Sequence, residues 1–460
     1  MSSPISTSFK ESLIIPLWSL TVLLVVMNTT MFNVALPTVA ADLGLSTTSA
    51  SWIVTGYSIL FAIASITYSR LSDFLPIRTL LTAGLLLLGT GSIVGLLSHH
   101  FYGVLAARLL QAVGAASAPG LGVVLVTRYV PLERRGKAMS TIISAASFGF
   151  GLGPIVGGTM SQYLGWNMLF IVTAMVLLLL PVFYRNLPQQ TTAPVRFDWT
   201  GALLIGAGVT GLLLFLTNRQ WLTLAVGAAA LAGFWFRIHR TADPFVQPSL
   251  LRNRNYLSLL FMGFIAYILN FSSLFLMPMM LSRLFGTGST VTGFLIFPGA
   301  ILTALLSPRI GKWIDRAGNT PVIAAGHAGL ILAAAGFALF SAESVYAIAG
   351  AYVVLSVSVS AIGSSASNEM SRILAPSEIG AGMGLAQLTQ FFGGALGVAL
   401  TSTVLAWPSS RPLGATFAGL YWVMAAAAVG SAVLCFRYVR RKRGSGVLPE
   451  GTEAAEPVRG

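Results

Sequence analysis

Apolar residues run along this chain in long blocks separated by short polar links. Fourteen blocks lie near residues 13–36, 50–69, 79–98, 101–126, 138–160, 164–184, 199–217, 220–236, 256–281, 290–307, 321–341, 345–367, 381–406 and 414–436. A bilayer core of roughly 30 Å takes about 20 helical residues at about 1.5 Å each. Each block therefore predicts one transmembrane helix, and the fold is predicted to be all-α. The block at 220–236 is the shortest. Without it the count would be odd and the two chain ends would lie on opposite sides of the membrane.

The placement of charge tests that count. If the N-terminus is inside, Lys and Arg fall almost wholly on the inner side, from Arg70, Arg78 and Arg128 through Arg185, Arg237, Arg254 and Arg372 to the run Arg437 to Arg443. Only Arg219, Arg283 and Arg411 fall in the opposite links. The bias of basic residues toward cytoplasmic loops then supports fourteen helices with both termini cytoplasmic. This placement accounts for a net charge of +14 in a chain with only 9% charged residues, so no nucleic-acid partner is expected. The polar tail with Glu450, Glu453 and Glu456 is expected to be disordered. Cys435, the single cysteine, excludes an internal disulfide and a cysteine-based metal site. The first apolar block is too long for a cleavable signal. HExxH, GxxxxGK and GxSxG patterns are missing, so no enzyme chemistry and no cofactor are expected.

An internal repeat organises the chain. Ser69-Arg-Leu-Ser-Asp73, running on to Arg78, and Gly311-Lys-Trp-Ile-Asp315, followed by Arg316, share a spacing of small, basic, apolar and acidic residues at an offset of 242. Residues 1–190 and 241–443 are read as two six-helix halves, 191–240 as two central helices, and 444–460 as the tail. Two related halves that rock about a midplane site is a common plan for secondary transporters. Asp73 and Asp315 read as latches that break when the halves rock, or as ordinary interfacial charge pairs.

Several intramembrane residues carry candidate chemistry. Arg108 in the fourth block is costly in lipid, so it either faces a cavity or snorkels to the interface. Gln111 and Gly114 follow on the same face. Asn28, Thr29, Thr30 and Asn33 line an aqueous cavity or serve helix contacts worth about 0.6–2 kcal/mol each. Gln387 and Gln390 form a similar pair. Gly149, Gly153 and Gly157 make a smooth strip for close helix approach, and Pro154 predicts a bend. Glu369 with Arg372 reads as a helix-surface ion pair, and His327 as a neutral buried histidine.

These segments, together with NVALP at 33–37, RLLQAVGAA at 108–116, the GxxxGPxxGG pattern from Gly149 to Gly158, and EIGAGMGL at 378–385, resemble the major facilitator superfamily. The closest branch is the fourteen-helix drug:proton antiporters, including Gram-positive tetracycline exporters. The resemblance implies a monomeric, multi-pass protein of the bacterial plasma membrane that exports a hydrophobic or amphipathic small molecule in exchange for protons. It implies an antiporter motif at Gly149, Gly153, Pro154, Gly157 and Gly158, proton coupling at Arg108, and gating at Asp73. The wider branch has an Asp at the position of Asn28, and the tetracycline exporters have a Glu at that of Thr29 and acids at those of Phe150 and Gly394, all uncharged here. That departure favours a neutral or anionic cargo, with a tetracycline or multidrug exporter using a different proton site, or an uncoupled uniporter or sensor, as alternatives.

Overall fold

In a computed structural model of the chain, residues 10–72, 75–188, 198–241, 244–375, 378–407 and 412–444 are described. They form helices α1 Glu11–Asp42, α2 Thr47–Leu71, α3 Ile77–Leu96, α4 Phe101–Ala115, α5 Ser117–Tyr129, α6 Leu132–Tyr163, α7 Leu169–Ala174, α8 Leu180–Asn186, α9 Trp199–Asn218, α10 Trp221–Ile238, α11 Pro248–Arg252, α12 Arg254–Phe285, α13 Ser289–Ala317, α14 Asn319–Phe340, α15 Val345–Ile373, α16 Ile379–Leu405 and α17 Leu413–Gly444. Every regular element among the described residues is a helix. Among the described residues, thirteen helical stretches are long and apolar enough to cross a membrane. The 32-residue α6 adds the fourteenth crossing. It joins Tyr129, whose neighbour Arg128 donates to Ser72 O, to Trp166, which donates to Asp42 Oδ2 at the opposite end. The block at 220–236 is α10.

Two crossings are interrupted. The fourth is α4 and α5, joined through Ala116. The sixth is α7 and α8 separated by a 3-10 turn, Met175–Leu179. Pro181 follows in the first turn of α8, where its missing N–H costs nothing. Polar caps start other helices where the chain re-enters the bundle. Asp198 accepts from Gly201 N for α9, and Asn253 accepts from Asn255 N and Tyr256 N for α12.

One core cluster lies wholly within the first six crossings, around Trp18, Tyr57, Leu85 and Leu121. The largest is shared between first and last crossings, with Met31, Phe32 and Phe170 beside Phe271, Leu276 and Phe337. Glycines set how closely the helices approach. A Cβ on Gly149, Gly153 or Gly157 would meet Leu23 O, Thr30 Oγ1 or Met31 O of α1 at 2.7, 1.8 and 2.6 Å. The predicted strip is real, and it seats α6 on α1 within the first six crossings. A different face of α6 meets the last six crossings: a Cβ on Gly158 would lie 2.2 Å from Ser289 O, and one on Gly293 of α13 2.3 Å from Pro154 O.

At the end of the bundle remote from the chain termini, the far end, polar bonds join the two groups. Thr38 and Ser289 share a bond of 3.0 Å, Arg283 donates to Thr47 Oγ1 at 3.0 Å, and Thr290 N donates to Gln162 Oε1 at 3.0 Å.

Candidate functional site

Close packing of α3 on α4 builds the site. A Cβ on Gly91 would lie 2.8 Å from Gln111 N, and one on Gly114 2.3 Å from Leu88 N; only glycine allows this approach. Gln111 Nε2 thereby reaches Ser92 Oγ at 2.8 Å, and Gln111 Oε1 accepts from Arg108 Nη1 at 2.9 Å. The same Nη1 donates to Asn28 Oδ1 of α1 at 2.9 Å, which also accepts from Thr173 Oγ1 of α7 at 3.2 Å.

Two aromatic rings close the cage. The guanidinium lies 4.1 Å from the Phe32 ring centroid and 4.0 Å from that of Tyr57, within the range of cation–π attraction. Arg108 is 1% exposed, and its Nε has no hydrogen-bond partner. No carboxylate pairs with it among the described residues. A permanent cation is thus held inside the first six crossings by neutral acceptors and ring faces alone.

From Tyr57 a chain of rings leaves the cage toward the other group. Tyr57 stacks on Phe61 at 5.8 Å, and Phe61 meets Phe391 of α16 at 4.8 Å. Phe391 then meets Tyr267 and Phe271 of α12 at 6.1 and 6.0 Å. These separations suit favourable ring pairs. Beside them Ser65 Oγ donates to Gln387 Oε1 at 3.4 Å, linking α2 to α16.

The predicted residues divide accordingly. Arg108, Gln111 and Asn28 come together. Arg108 is buried rather than open to a cavity or snorkelling to the interface: its guanidinium is held by α1 and α2 and by Gln111 of its own helix. Within the polar set of α1, Thr29 is partly exposed and the other three are buried. Asn28, Thr30 and Asn33 are at most 1% exposed, and Thr30 Oγ1 turns to Met27 O and Gly149 O. Thr29 faces Tyr57 Oη at 3.5 Å. Gln390 packs by Gly263 of α12, and Gly394 against Phe271. Phe150 stays partly exposed on α6. Pro154 lies inside continuous α6. Arg78 lies over the Tyr184 ring at 3.8 Å, and Arg316 is exposed. Asp73 and the side chain of Asp315 lie outside the described residues. Phe32, Tyr57, Ser92 and Thr173 were not singled out by sequence; nothing distinguishes them from other core residues until α1, α2, α3 and α7 are packed.

Glu369 departs from its sequence reading. It is 1% exposed rather than on a helix surface. It forms a salt bridge to Lys442 at 2.8 Å and accepts from Asn319 Nδ2 at 2.7 Å and from Tyr438 Oη. Its helix turns it toward α14 and α17, a direction that the three-residue spacing to Arg372 cannot reveal. Asn319, the first residue of α14, lies four residues after Asp315, so the end of the repeat-bearing link supplies a ligand to this cluster. His327 is buried as expected, with Nε2 2.8 Å from Ser431 Oγ and Nδ1 2.8 Å from Ile323 O.

Comparisons with known proteins extend this picture. The family profile described as Major Facilitator Superfamily matches residues 18–398 and, separately, 259–459. The chain is 30% identical over 407 residues to the cephamycin export protein CmcT of Amycolatopsis lactamdurans, covering 83% of this chain and 82% of that one. It is 29% identical over 409 residues to the puromycin resistance protein pur8 of Streptomyces alboniger, covering 83% and 79%. It is 24% identical over 381 residues to the riboflavin transporter RibZ of Clostridioides difficile (strain 630), covering 81% and 84%. Among solved structures, a POT family transporter in complex with 5-aminolevulinic acid is similar with a TM-score of 0.70 at 16% identity, over 92% of this chain and 96% of that one. That likeness concerns the fold alone.

Proposed function

This chain belongs to the Major Facilitator Superfamily, and from that premise we propose that it exports a hydrophobic or amphipathic small molecule, neutral or anionic, by alternating access. It is a secondary transporter and not an enzyme. The observation that carries the substrate class is Arg108: a buried cation with no carboxylate partner among the described residues attracts an anionic or strongly accepting group, because charge is poorly screened at low dielectric. The ring chain from Tyr57 to Phe271 offers apolar and aromatic surface beside it, which suits an amphipathic body. Export rather than uptake is supported by the exporter and resistance protein among the relatives.

In this reading residues 1–190 and 241–443 rock against each other, with α9 and α10 between them and both termini in the cytoplasm. The bonds at the far end support a present state closed on the outer side. Asp73 with Arg78, and Asp315 with Arg316, act as the cytoplasmic latches. Gly158 and Gly293 form the sliding contact between groups. Protons are the exchanged ion.

Everted membrane vesicles provide the test. An imposed pH gradient, acid inside, should drive accumulation of cargo from a panel of aromatic carboxylates and neutral amphiphiles. Equal flux with and without the gradient would remove proton exchange. Accumulation of dications in preference to anions would remove the substrate class. A second reading, uncoupled uniport, is favoured by one observation: Asn28, Thr29, Phe150 and Gly394 stand uncharged where the resembled exporters have acids, and Glu369, the acid buried in α15, is already paired. Gradient-independent flux is its signature. A tetracycline or multidrug exporter would instead need a proton site elsewhere in the chain.

A further inference from the structure

Outside the site described above, an open groove of about 670 Å³ runs along the far half of the bundle between α16 and α17, floored by α12. Leu400 and Val404 form one wall, Val423 and Ala427 the other, and Ile268 and Leu269 the floor. The wall is hydrocarbon-like even where hydroxyls occur, because Thr401 turns its Oγ1 back to Gly397 O at 2.8 Å. Ser272, at the floor, is the exception, with an unpaired hydroxyl. Gly419 leaves part of the groove open, since a Cβ there would meet nothing within 4 Å. Leu400, Val404 and Val423 are 41%, 42% and 69% exposed, and these helices cross a membrane, so hydrocarbon chains face the groove from outside.

The rim adds charge. Trp407 lines the groove at its far end, and the guanidinium of Arg219 lies over its ring at 4.2 Å. Thr403 Oγ1 donates to Leu216 O at 3.3 Å, which fixes the end of α9 against α16 and holds Arg219 there. Arg219 is the one non-glycine residue with positive φ, 54°, among those described. A glycine would adopt that helix-end geometry more readily, so the position keeps its side chain against a backbone preference. The other basic residue described at the far end, Arg283, is bonded to Thr47. A tryptophan and a basic residue at the mouth of an apolar slot match the interfacial depth of a bilayer.

We propose that this groove is a binding site for an anionic phospholipid of the leaflet at the far end, with an acyl chain between α16 and α17 and the phosphate on Arg219. The bilayer provides this occupant at the groove's own depth, and Arg219, the cation described at the rim, selects its headgroup charge. The groove lies apart from Arg108, so occupancy supports the packing of α17 without entering the transport cage.

Native mass spectrometry of the full chain, purified from vesicles of equal phosphatidylglycerol and phosphatidylcholine, reads this directly. Wild type should retain phosphatidylglycerol about fivefold over phosphatidylcholine, the preference expected from one basic residue near an anionic headgroup. Arg219→Gln should bring the two lipids to parity, and Arg219→Gly, which relaxes the backbone while removing the guanidinium, should do the same. Gly419→Phe should lose both lipids; if it is not recovered folded, Val423→Trp fills the same space. Unchanged phosphatidylglycerol preference in both Arg219 variants overturns the headgroup contact. Undiminished lipid retention in the filled variants overturns the groove as the site, and so does a wild-type dimer that Gly419→Phe converts to a monomer, since the occupant is then a second copy.

Discussion

Two buried charges, one in each group of crossings, are held in opposite ways. Arg108 sits among Asn28, Gln111, Phe32 and Tyr57, with neutral partners and one N–H unmet. Glu369 sits among Lys442, Tyr438 and Asn319, with a countercharge and three donors. A buried ion that loses its countercharge leaves an uncompensated charge, whereas replacing both members of a buried pair by apolar groups of similar volume is often neutral. Glu369 therefore reads as a clamp that fastens α14, α15 and α17 together. Arg108 reads as a charge kept for something the resting structure does not contain.

The largest effect should separate these readings. Arg108→Met should bring transport in everted vesicles to background while protein in the membrane and its thermal midpoint stay near wild type, because the cage loses a charge that it does not pair. A variant that transports normally, or one that fails to accumulate, would erase the contrast. Glu369→Ala should do the reverse. It removes the carboxylate to which Lys442, Tyr438 and Asn319 all donate, at a cost of roughly 3 kcal/mol, the low end for a broken buried pair because the lysine can turn toward water. Denaturation in detergent should show the loss, and transport per folded molecule should remain near wild type. A double variant, Glu369→Leu with Lys442→Leu, should recover most of the stability.

Sequence reached the membrane layout and stopped short of the cages for identifiable reasons. Hydropathy gives the crossings because each helix must satisfy its own backbone in lipid. It does not say which face of a helix meets which neighbour. Glu369 is bonded to partners 50, 69 and 73 residues away, so its local spacing to Arg372 pointed to the wrong surface. Asn28, Thr30 and Asn33 give one polar signature whether they meet water or another helix, and here they meet helices. The four-residue glycine period predicted a close approach correctly but could not name α1 as the partner.

That last point gives a test of intermediate size. Gly157→Leu forces side-chain atoms into Met31 of α1 and should destabilise by about 1–3 kcal/mol through overpacking. Gly158→Leu meets Ser289 across the two groups instead, and should slow turnover while leaving the melting of the first six crossings near wild type. Cross-linking Gly158→Cys to Ser289→Cys at each stage of transport would show whether this contact opens. Equal stability losses in both leucine variants, with unchanged turnover, would mean that the groups do not slide there.

The smallest effect concerns a carboxylate intermediate between the two cages. Asp198 caps α9, pairs with Arg237 at the end of α10, and accepts from Phe245 N at 3.1 Å. Burial alone would raise its pKa, but bonds from Arg237, Gly201 N and Phe245 N outweigh it and hold the carboxyl below the ordinary aspartate range. The ionised form is then favoured by folding. Its contribution is fully present above the ordinary value near 4 and is lost as pH falls toward the lower folded value. Asp198→Asn keeps a capping oxygen and removes the titration, so it should cost about 1 kcal/mol at neutral pH, the scale of a single charge-assisted bond. The gap between wild-type and variant melting points should narrow as pH drops below about 4. A constant gap across that range would mean that the pair contributes only packing. Unlike Glu369, this acid lies where solvent protons reach it through a partly exposed arginine, with Arg237 35% exposed, so its titration should be readable without unfolding the bundle.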